Sequence, residues 1–205
     1  MRILIACEES QAVTKEFRKL GHEAFSCDLL PCSGGHPEWH YQQDVFEVID
    51  KGWDMMIAHP PCTYLSHAGA RWLYPKGILN NDRLNKGLEA KDFFIKLLNA
   101  PIDKIVIENP VPSKIYNLPE HTQIIQPWMF GDEAQKKTLL WIKGLSNLIS
   151  TKIVGKGEMV VYKSGKSKAK WFMDAAKAKT PAERRTLRSK TFKGIAEAMA
   201  AQWGK

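Results

Sequence analysis

The chain has 205 residues and a mass of 23.3 kDa, the size of one ordinary domain. Hydrophobic residues make up 44% of it, so a buried core is possible and wholesale disorder is excluded. The net charge of +8 is unevenly divided: residues 136–193 hold 16 Lys and Arg against three acidic residues, a local charge of +13, and the rest carries −5. This basic segment indicates a surface for nucleic-acid phosphates, although a solubilising lysine-rich face would have the same composition.

The sequence predicts a cytoplasmic protein without membrane contact. The longest apolar runs, residues 3–7 and 55–58, are far shorter than the roughly 20 residues that cross a bilayer. The N-terminus enters a strand-like run directly, without the apolar region and cleavage site of a signal peptide. Four cysteines without a Cys-x-x-Cys pair are typical of free thiols in a reducing compartment, and a monomer is expected.

Strand and helix patterns alternate over the first 110 residues. Strands are predicted at 2–6, 23–27, 54–58 and 104–107. Helices are predicted up to Leu20, with Ser10 and Thr14 as cap or support, and at 45–50 and 88–98. Residues 30–40 and about twenty residues after Cys62 are predicted as loops. Such alternation indicates an α/β fold whose mostly parallel sheet is covered on both faces.

The pattern changes after residue 120. Two strands, at 122–127 and 138–142, predict an antiparallel edge of the sheet. Residues 151–188 are basic and predicted irregular, apart from a strand-like run at 158–162, and a final helix is predicted at 194–203. We therefore divide the chain into a catalytic and cofactor-binding core (1–143), a small basic segment (144–188) and a C-terminal helix that packs back on the core (189–205).

Chemically informative residues follow the predicted strands. Ligands of open α/β sheets bind beyond the carboxyl ends of the strands, so four groups of residues should converge: 7–10, 28, 59–62 and 108–110. Two prolines, Pro60 and Pro61, would hold Cys62 rigidly at a loop entrance. A thiol presented in this way suits covalent catalysis, although a buried spectator cysteine would have the same local sequence.

Several motifs resemble those of the DNA cytosine-C5 methyltransferases. The run Pro60-Pro61-Cys62, with Ser66 four residues on and Gly69 three beyond it, resembles their catalytic motif. The run at 108–110, Glu-Asn-Pro, is similar to their Glu-Asn-Val motif. Residues 130–138 resemble a weakened Gly-x-Pro-Gln-x-Arg-x-Arg motif, and residues 189–194 are similar to the final motif before a helix. The order agrees along nearly the whole chain, which implies a Rossmann-like class I methyltransferase fold with a small basic C-terminal insertion.

The resemblance implies methyl transfer to C5 of cytosine in DNA. A thiolate that adds at C6 makes C5 nucleophilic, and a carboxylic acid at N3 stabilises the developing charge. Cys62 would be the nucleophile and Glu108 the acid, with Lys136 or Lys137 in the place of the family's arginines. A duplex hides C6, so the base must be flipped out. The implied substrate-binding residues are Pro61, Ser66, Arg71, Asn109, Lys168 and Lys170.

The resemblance also implies S-adenosylmethionine as cofactor, but the first motif departs from the family's Phe-x-Gly-x-Gly because no glycine precedes residue 21. Glu8 or Glu9 could bind the methionine ammonium, and Asp28 the ribose hydroxyls. Asp44 resembles the aspartate at the adenine amino group, or caps a helix. The implied cofactor-binding residues are Ala6, Cys7, Glu8, Glu9, Ser10, Asp28, Leu29, Asp44, Pro60 and Thr191.

Three alternatives remain open at this point. The same core could modify a free pyrimidine nucleotide, or the chain could be a catalytically silent nucleic-acid-binding protein. Residues Cys27, Cys32, His36 and His40 are potential zinc ligands, but their spacing is unlike that of common structural sites, so no metal is expected. The short segment 144–188 leaves few side chains to read base edges, which predicts short or relaxed sequence specificity.

Overall fold

Seven strands form the central sheet of the computed structural model, which describes residues 1–189 and 191–205, without the side chains of Pro181, Ala182 and Arg185. The strands are β1 (Arg2–Ala6), β2 (Glu23–Asp28), β3 (His40–Gln42), β4 (Met55–Ala58), β5 (Lys104–Pro110), β6 (Gln123–Ile125) and β7 (Thr138–Lys143). Their order across the sheet is β3-β2-β1-β4-β5-β7-β6. The first five are parallel, and β7 is antiparallel to both neighbours. The predicted α/β class with an antiparallel edge is confirmed.

Helices and a separate hairpin complete the described residues. The helices are α1 (Ala12–Lys19), α2 (His67–Ala70), α3 (Asn81–Leu98), α4 (Lys170–Ala175), α5 (Pro181–Ser189) and α6 (Lys193–Trp203). Strands β8 (Met159–Val161) and β9 (Ser167–Ala169) pair with each other outside the main sheet. Short 3-10 turns lie at Pro37–Trp39, Val45–Glu47, Pro75–Gly77, Lys114–Tyr116 and Pro127–Met129.

Side chains of β1 alternate between two hydrophobic cores, one on each face of the sheet. Ile3 and Ile5 lie in the core that includes Phe17 of α1 and Met199 of α6. Leu4 belongs to the opposite core, together with residues of α3. Because successive residues of a strand point to opposite faces, a continuous apolar strand is buried on both sides. The predicted covering of both faces is confirmed.

Several element boundaries differ from the sequence prediction. Helix α3 begins at Asn81 rather than 88, because the Asn80 side chain accepts a hydrogen bond from the Arg83 amide and caps the first turn. Strand β3 lies where a loop was predicted to end, since its three residues have no apolar alternation and are fixed by pairing with β2. The helix predicted at 45–50 is a 3-10 turn of three residues.

The basic segment is more regular than predicted. Residues 151–188, predicted irregular, include the β8–β9 hairpin, helix α4 and most of helix α5. The strand-like run predicted at 158–162 corresponds to β8. Lys190, inside the turn predicted before the last helix, lies outside the described residues. Among the residues that are described, no helix has both the length and the apolar character needed to span a bilayer.

Candidate active site

The strand ends that the sequence singled out lie at one edge of the sheet. Ala6 at the end of β1 pairs with Cys27 of β2 and with Ala58 of β4, and Ala58 pairs with Ile107 of β5. The residues that follow these strands therefore leave the sheet at the same level. Cys7 and Asp28 line one cavity together with Pro61. His59, which follows β4, is in direct contact with Glu108 on the neighbouring strand β5. The predicted convergence of these groups is therefore observed.

The Cys62 thiol is half-buried in the loop that follows β4. Its carbonyl accepts a hydrogen bond from the Ser66 amide, which closes the backbone around it. Burial raises the pKa of Cys62, Lys136 opposes the shift, and the charge of Glu108 adds to it. The resting sulfur is therefore a protonated thiol at neutral pH, and a positive charge near it would favour the thiolate.

Glu108 is buried at the end of β5 between two cations. Its Oε2 lies 3.1 Å from Nδ1 of His59, and its Oε1 lies 4.0 Å from Nζ of Lys136. Burial by itself would raise the pKa of Glu108. The contact with His59, the charge of Lys136 and a hydrogen bond from Thr191 outweigh burial, and the pKa lies below its ordinary value. The carboxyl is therefore ionised in the free protein.

His59 is the functional candidate that sequence reasoning left without a role. It follows β4 directly and precedes the two prolines. Its amide donates to the Ala6 carbonyl, which fixes the backbone to β1, and its Nδ1 faces Glu108. The sequence could have indicated a role for His59, because it follows a fully buried parallel strand and ligands bind beyond the carboxyl ends of such strands. Its pairing with a particular carboxylate required the register of β4 and β5.

Asn109 ties the Pro-Pro-Cys loop to β5. Its side-chain amide donates to the Pro60 carbonyl over 3.0 Å, and both residues are buried. Its Oδ1 is buried and has no hydrogen-bond partner among residues 1–189 and 191–205. Asn109 was predicted to bind substrate, which stays a prediction, and in the structure its donor group positions the loop that presents Cys62. Glu108 and Asn109 are adjacent on β5 and therefore point to opposite faces of the strand. Glu108 contacts His59, and Asn109 holds the loop at Pro60.

Two weak motifs of the sequence pack against each other beside Glu108. Lys136 donates to the Ser189 carbonyl over 3.3 Å, and Thr191 bonds Glu108. The Gly194 amide donates to Asp132, and a side chain at Gly194 would overlap the Phe130 carbonyl. The predicted C-terminal motif is therefore part of the Glu108 environment, and Thr191 lies at the carboxylate rather than among the residues that line the cavity. Lys137 is exposed.

A cavity of about 180 Å³ lies beyond β1 and β2. Four residues predicted to bind the cofactor line it, namely Cys7, Asp28, Leu29 and Asp44, together with Pro61 from the predicted substrate-binding set. Sequence reasoning missed the remaining lining residues Cys27, Gln43, Val45, Ala90 and Phe93, of which helix α3 supplies Ala90 and Phe93. Asp28 and Asp44 also accept hydrogen bonds from nearby backbone amides, which orient their carboxylates.

The loop after β1 has an unusual backbone for its sequence. Cys7 and Gln11 have positive φ angles of 58° and 56°, the region that glycine adopts readily. The Glu8 carboxylate accepts hydrogen bonds from the Val13 amide and from the amide and hydroxyl of Thr14. It therefore caps α1, a role predicted for Ser10. Of the two acids predicted to face the methionine ammonium, Glu8 is thus already bonded, and the Glu9 carbonyl accepts from Ser33.

The loop after Cys62 is held by an arginine of helix α3. Arg83 of α3 donates to the carbonyls of Thr63 and Gly69, both over 3.1 Å, and its guanidinium lies 5.0 Å from the Tyr64 ring centroid. Ser66, predicted to bind substrate, caps α2 through its hydroxyl, which accepts from the Gly69 amide. Arg71 is exposed and stacks on the exposed ring of Trp72.

The basic hairpin is attached close to Lys136. The indole of Trp171 at the start of α4 donates to the Gln135 carbonyl over 3.0 Å. Lys168 is exposed, with Nζ 5.8 Å from the Tyr162 ring centroid. Lys170 is exposed and pairs with Asp174 and Glu158, at 3.2 Å and 3.8 Å. Both lysines predicted to bind substrate therefore belong to a basic surface that adjoins the Glu108 environment through Trp171.

The potential zinc ligands have other contacts. His40 contacts the Ser26 hydroxyl through Nδ1 and the Leu30 carbonyl through Nε2, and His36 stacks on Trp39. No group of three or more His, Cys, Asp or Glu side chains that could hold a metal ion occurs in the described part of the chain. Cys7, Cys27, Cys32 and Cys62 are free thiols.

In comparisons with known proteins, no protein-family model and no curated protein sequence matches this chain.

Proposed function

We propose that the chain is an S-adenosylmethionine-dependent methyltransferase that transfers a methyl group to C5 of cytosine in DNA through a covalent Cys62 adduct. The observation that supports this most directly is the position of two groups at one sheet edge. A thiol follows β4, a buried carboxyl ends β5, and Lys136 acts electrostatically on both. The class I methyltransferase fold that this function implies is compatible with the observed strand order.

Each residue of the site has a role in this reaction. The Cys62 thiol releases its proton to solvent, and the thiolate attacks C6 of the flipped cytosine. Glu108 donates a proton to N3 as the ring takes up the electron pair. The cation of Lys136 stabilises the thiolate before the attack. Asn109 and Arg83 hold the loop that presents Cys62, so the sulfur stays at a fixed distance from the base.

The cavity lining suits the adenosine portion of the cofactor. Carboxylates of Asp28 and Asp44 offer acceptors to ribose hydroxyls and to an amino group, and Val45 and Phe93 offer apolar walls to a flat base. Burial raises the pKa of the lining thiol of Cys27 to about 12, so that group stays neutral beside the acids. When bound, S-adenosylmethionine supplies an electrophilic sulfonium methyl group.

The proposed polymer substrate is DNA, and the proposed compartment is the cytoplasm. Exposed lysines of the β8–β9 hairpin form a basic surface next to the site, as a phosphate backbone requires. The regular structure of that region is a hairpin with three residues per strand and two short helices, which supports short or relaxed sequence specificity. Four free cysteines fit a reducing compartment.

A covalent trap tests the proposal. Duplex DNA containing 5-fluorocytosine, incubated with the protein and S-adenosylmethionine, is expected to give an adduct that survives denaturing electrophoresis, because fluorine at C5 blocks release of the sulfur. Cys62→Ala should give no adduct, and Cys32→Ala, which changes a thiol outside the site, should give the wild-type amount. An adduct with the Cys62→Ala variant, or none with the wild-type protein on duplex, single strand or free nucleotide, contradicts the proposal.

A further inference from the structure

The Glu108 carboxylate has a buried histidine as its nearest titratable neighbour. Nδ1 of His59 lies 3.1 Å from Oε2, and the two side chains are only 15% and 10% exposed. Nε2 of His59 and Oε2 of Glu108 are both buried, and neither atom has a hydrogen-bond partner in the part of the chain that the structure describes, so the 3.1 Å contact is an ion pair. The backbone amide of His59 donates to the Ala6 carbonyl of β1, which fixes the backbone from which the imidazole projects.

The charged groups around this pair keep a proton on the imidazole. Glu108 faces His59 from β5, Glu8 from the loop after β1, and Lys136 from the loop before β7, while the Cys62 thiol lies on the same loop as His59. Burial and, to a smaller extent, the charge of Lys136 lower the pKa of His59, but the contact with Glu108 and the charge of Glu8 outweigh them, and the pKa is raised. Below that raised pKa the free protein thus holds an imidazolium against a carboxylate.

This resting state conflicts with the role of Glu108 as an acid. A carboxylate that lies beside both Lys136 and an imidazolium holds no proton of its own to give to N3. A pair of coupled groups loses its last proton at a higher pH than an isolated carboxyl would, because either group can carry that proton. The proton needed at N3 is therefore available through the imidazole, as long as the pH lies below the raised pKa of His59.

We propose that His59 is a positioning residue that stores the proton which Glu108 donates to N3 of the cytosine, an inference that rests on the proposed function. As the C6–S bond forms, the C5–C6 electron pair moves toward N3. The Glu108 carboxylate takes the proton from Nδ1 of His59 and passes a proton to N3. The imidazole is left neutral. After C5 has gained the methyl group, a water molecule removes the C5 proton, the C5–C6 double bond re-forms, and the C6–S bond breaks. N3 then returns its proton along the same path.

The pH dependence of methyl transfer tests the proposal. In single turnovers on duplex DNA, the wild-type rate should stay high until the pH rises through the raised pKa of His59. In His59→Gln only Glu108 can carry the proton, so the upper pH limit should move down, with a loss of about 100-fold at pH 8 that shrinks markedly toward pH 6. The matched control is His36→Gln, which breaks a surface His–Glu contact of the same 3.1 Å length and should leave the profile unchanged.

A second measurement is independent of methylation. An NMR titration of the His59 ring should give a pKa above its ordinary value of 6.5 in the wild-type protein and at or below that value in Glu108→Gln. A neutral His59 ring at pH 6.5, or a rate loss in His59→Gln that is equal at every pH, overturns the proposal. If the wild-type protein gives neither adduct nor methyl transfer, the proposed function is overturned. The NMR titration still shows, independently of that result, whether His59 and Glu108 share a proton.

Discussion

Glu108 is the residue whose protonation affects both folding and the proposed chemistry. The pKa of Glu108 is lowered in the folded state. Its contribution to the free energy of unfolding is therefore present above the ordinary pKa of 4.5 and is lost as the pH falls through the folded pKa. The pKa of His59 is raised, so its share is fully present below 6.5 and is lost as the pH rises through the folded pKa. The pair therefore stabilises the fold most between these limits.

Replacement of Glu108 by glutamine should therefore reduce stability in a pH-dependent way. We expect the loss in free energy of unfolding, measured by urea denaturation, to be largest near pH 5.5, at about 2 kcal/mol, and to shrink on both sides. The control Glu38→Gln removes the exposed partner of His36, where solvent screens the charges, and should leave the stability curve unchanged. A loss in Glu108→Gln that is flat from pH 4 to pH 8 would show that the ion pair does not stabilise the fold.

For individual residues, the sequence predicts where a side chain lies in the sheet but does not predict which side chain it contacts. The convergence of Cys62 and Glu108 could be predicted because parallel strands end at one sheet edge. The His59–Glu108 contact could not, since it depends on side-chain direction at two adjacent strands. Glu8 shows the same limit: its carboxylate turns back to cap α1, and no residue pattern in the loop indicates this.

Among the elements, helix α3 depends on a glycine that faces an aromatic ring. Gly87 is buried, and a Cβ at this position would overlap the Tyr116 ring, which is itself buried. Alanine should favour the helix by about 1 kcal/mol, but overpacking of a rigid ring costs about 1–3 kcal/mol, so we expect net destabilisation of Gly87→Ala. Urea denaturation measures the change. Asn85→Ala, at an exposed position of the same helix, should be neutral or slightly stabilising, and an equally stable Gly87→Ala would disprove the tight contact.

Element types were more predictable than element ends. The apolar runs of β1, β4 and β5 are unmistakable because both faces of a parallel strand are buried. The first two turns of α3 were missed because residues 81–87 have no apolar stripe, and the helix there starts from the Asn80 cap. Helices α4 and α5 were not predicted, because many of their residues are charged and few apolar residues recur at helical spacing.

For the whole molecule, the separation of charge along the chain determines how a polyanion would bind. Many of the basic residues described between 136 and 189 lie in the hairpin, in α4 and α5 and at Lys136 and Lys137, which precede β7. The class of fold followed from alternating strands and helices, but the attachment of the basic region through Trp171 and Gln135 is a tertiary contact that no local pattern predicts. Its consequence is that phosphate contacts and the reacting base would occupy one side of the molecule.

This arrangement predicts DNA binding that depends strongly on salt. Each phosphate contact releases counterions, so the affinity for duplex DNA, measured by fluorescence anisotropy, should fall steeply between 50 and 200 mM salt, by about 100-fold or more. The double variant Lys163→Gln/Lys166→Gln removes two exposed cations at the hairpin tip and should lower the slope of log affinity against log salt by about one to two. Lys51→Gln is the control, because this exposed lysine precedes β4 at the opposite sheet edge. Equal slopes for the hairpin variant and the control would mean that the basic hairpin does not contact the phosphate backbone.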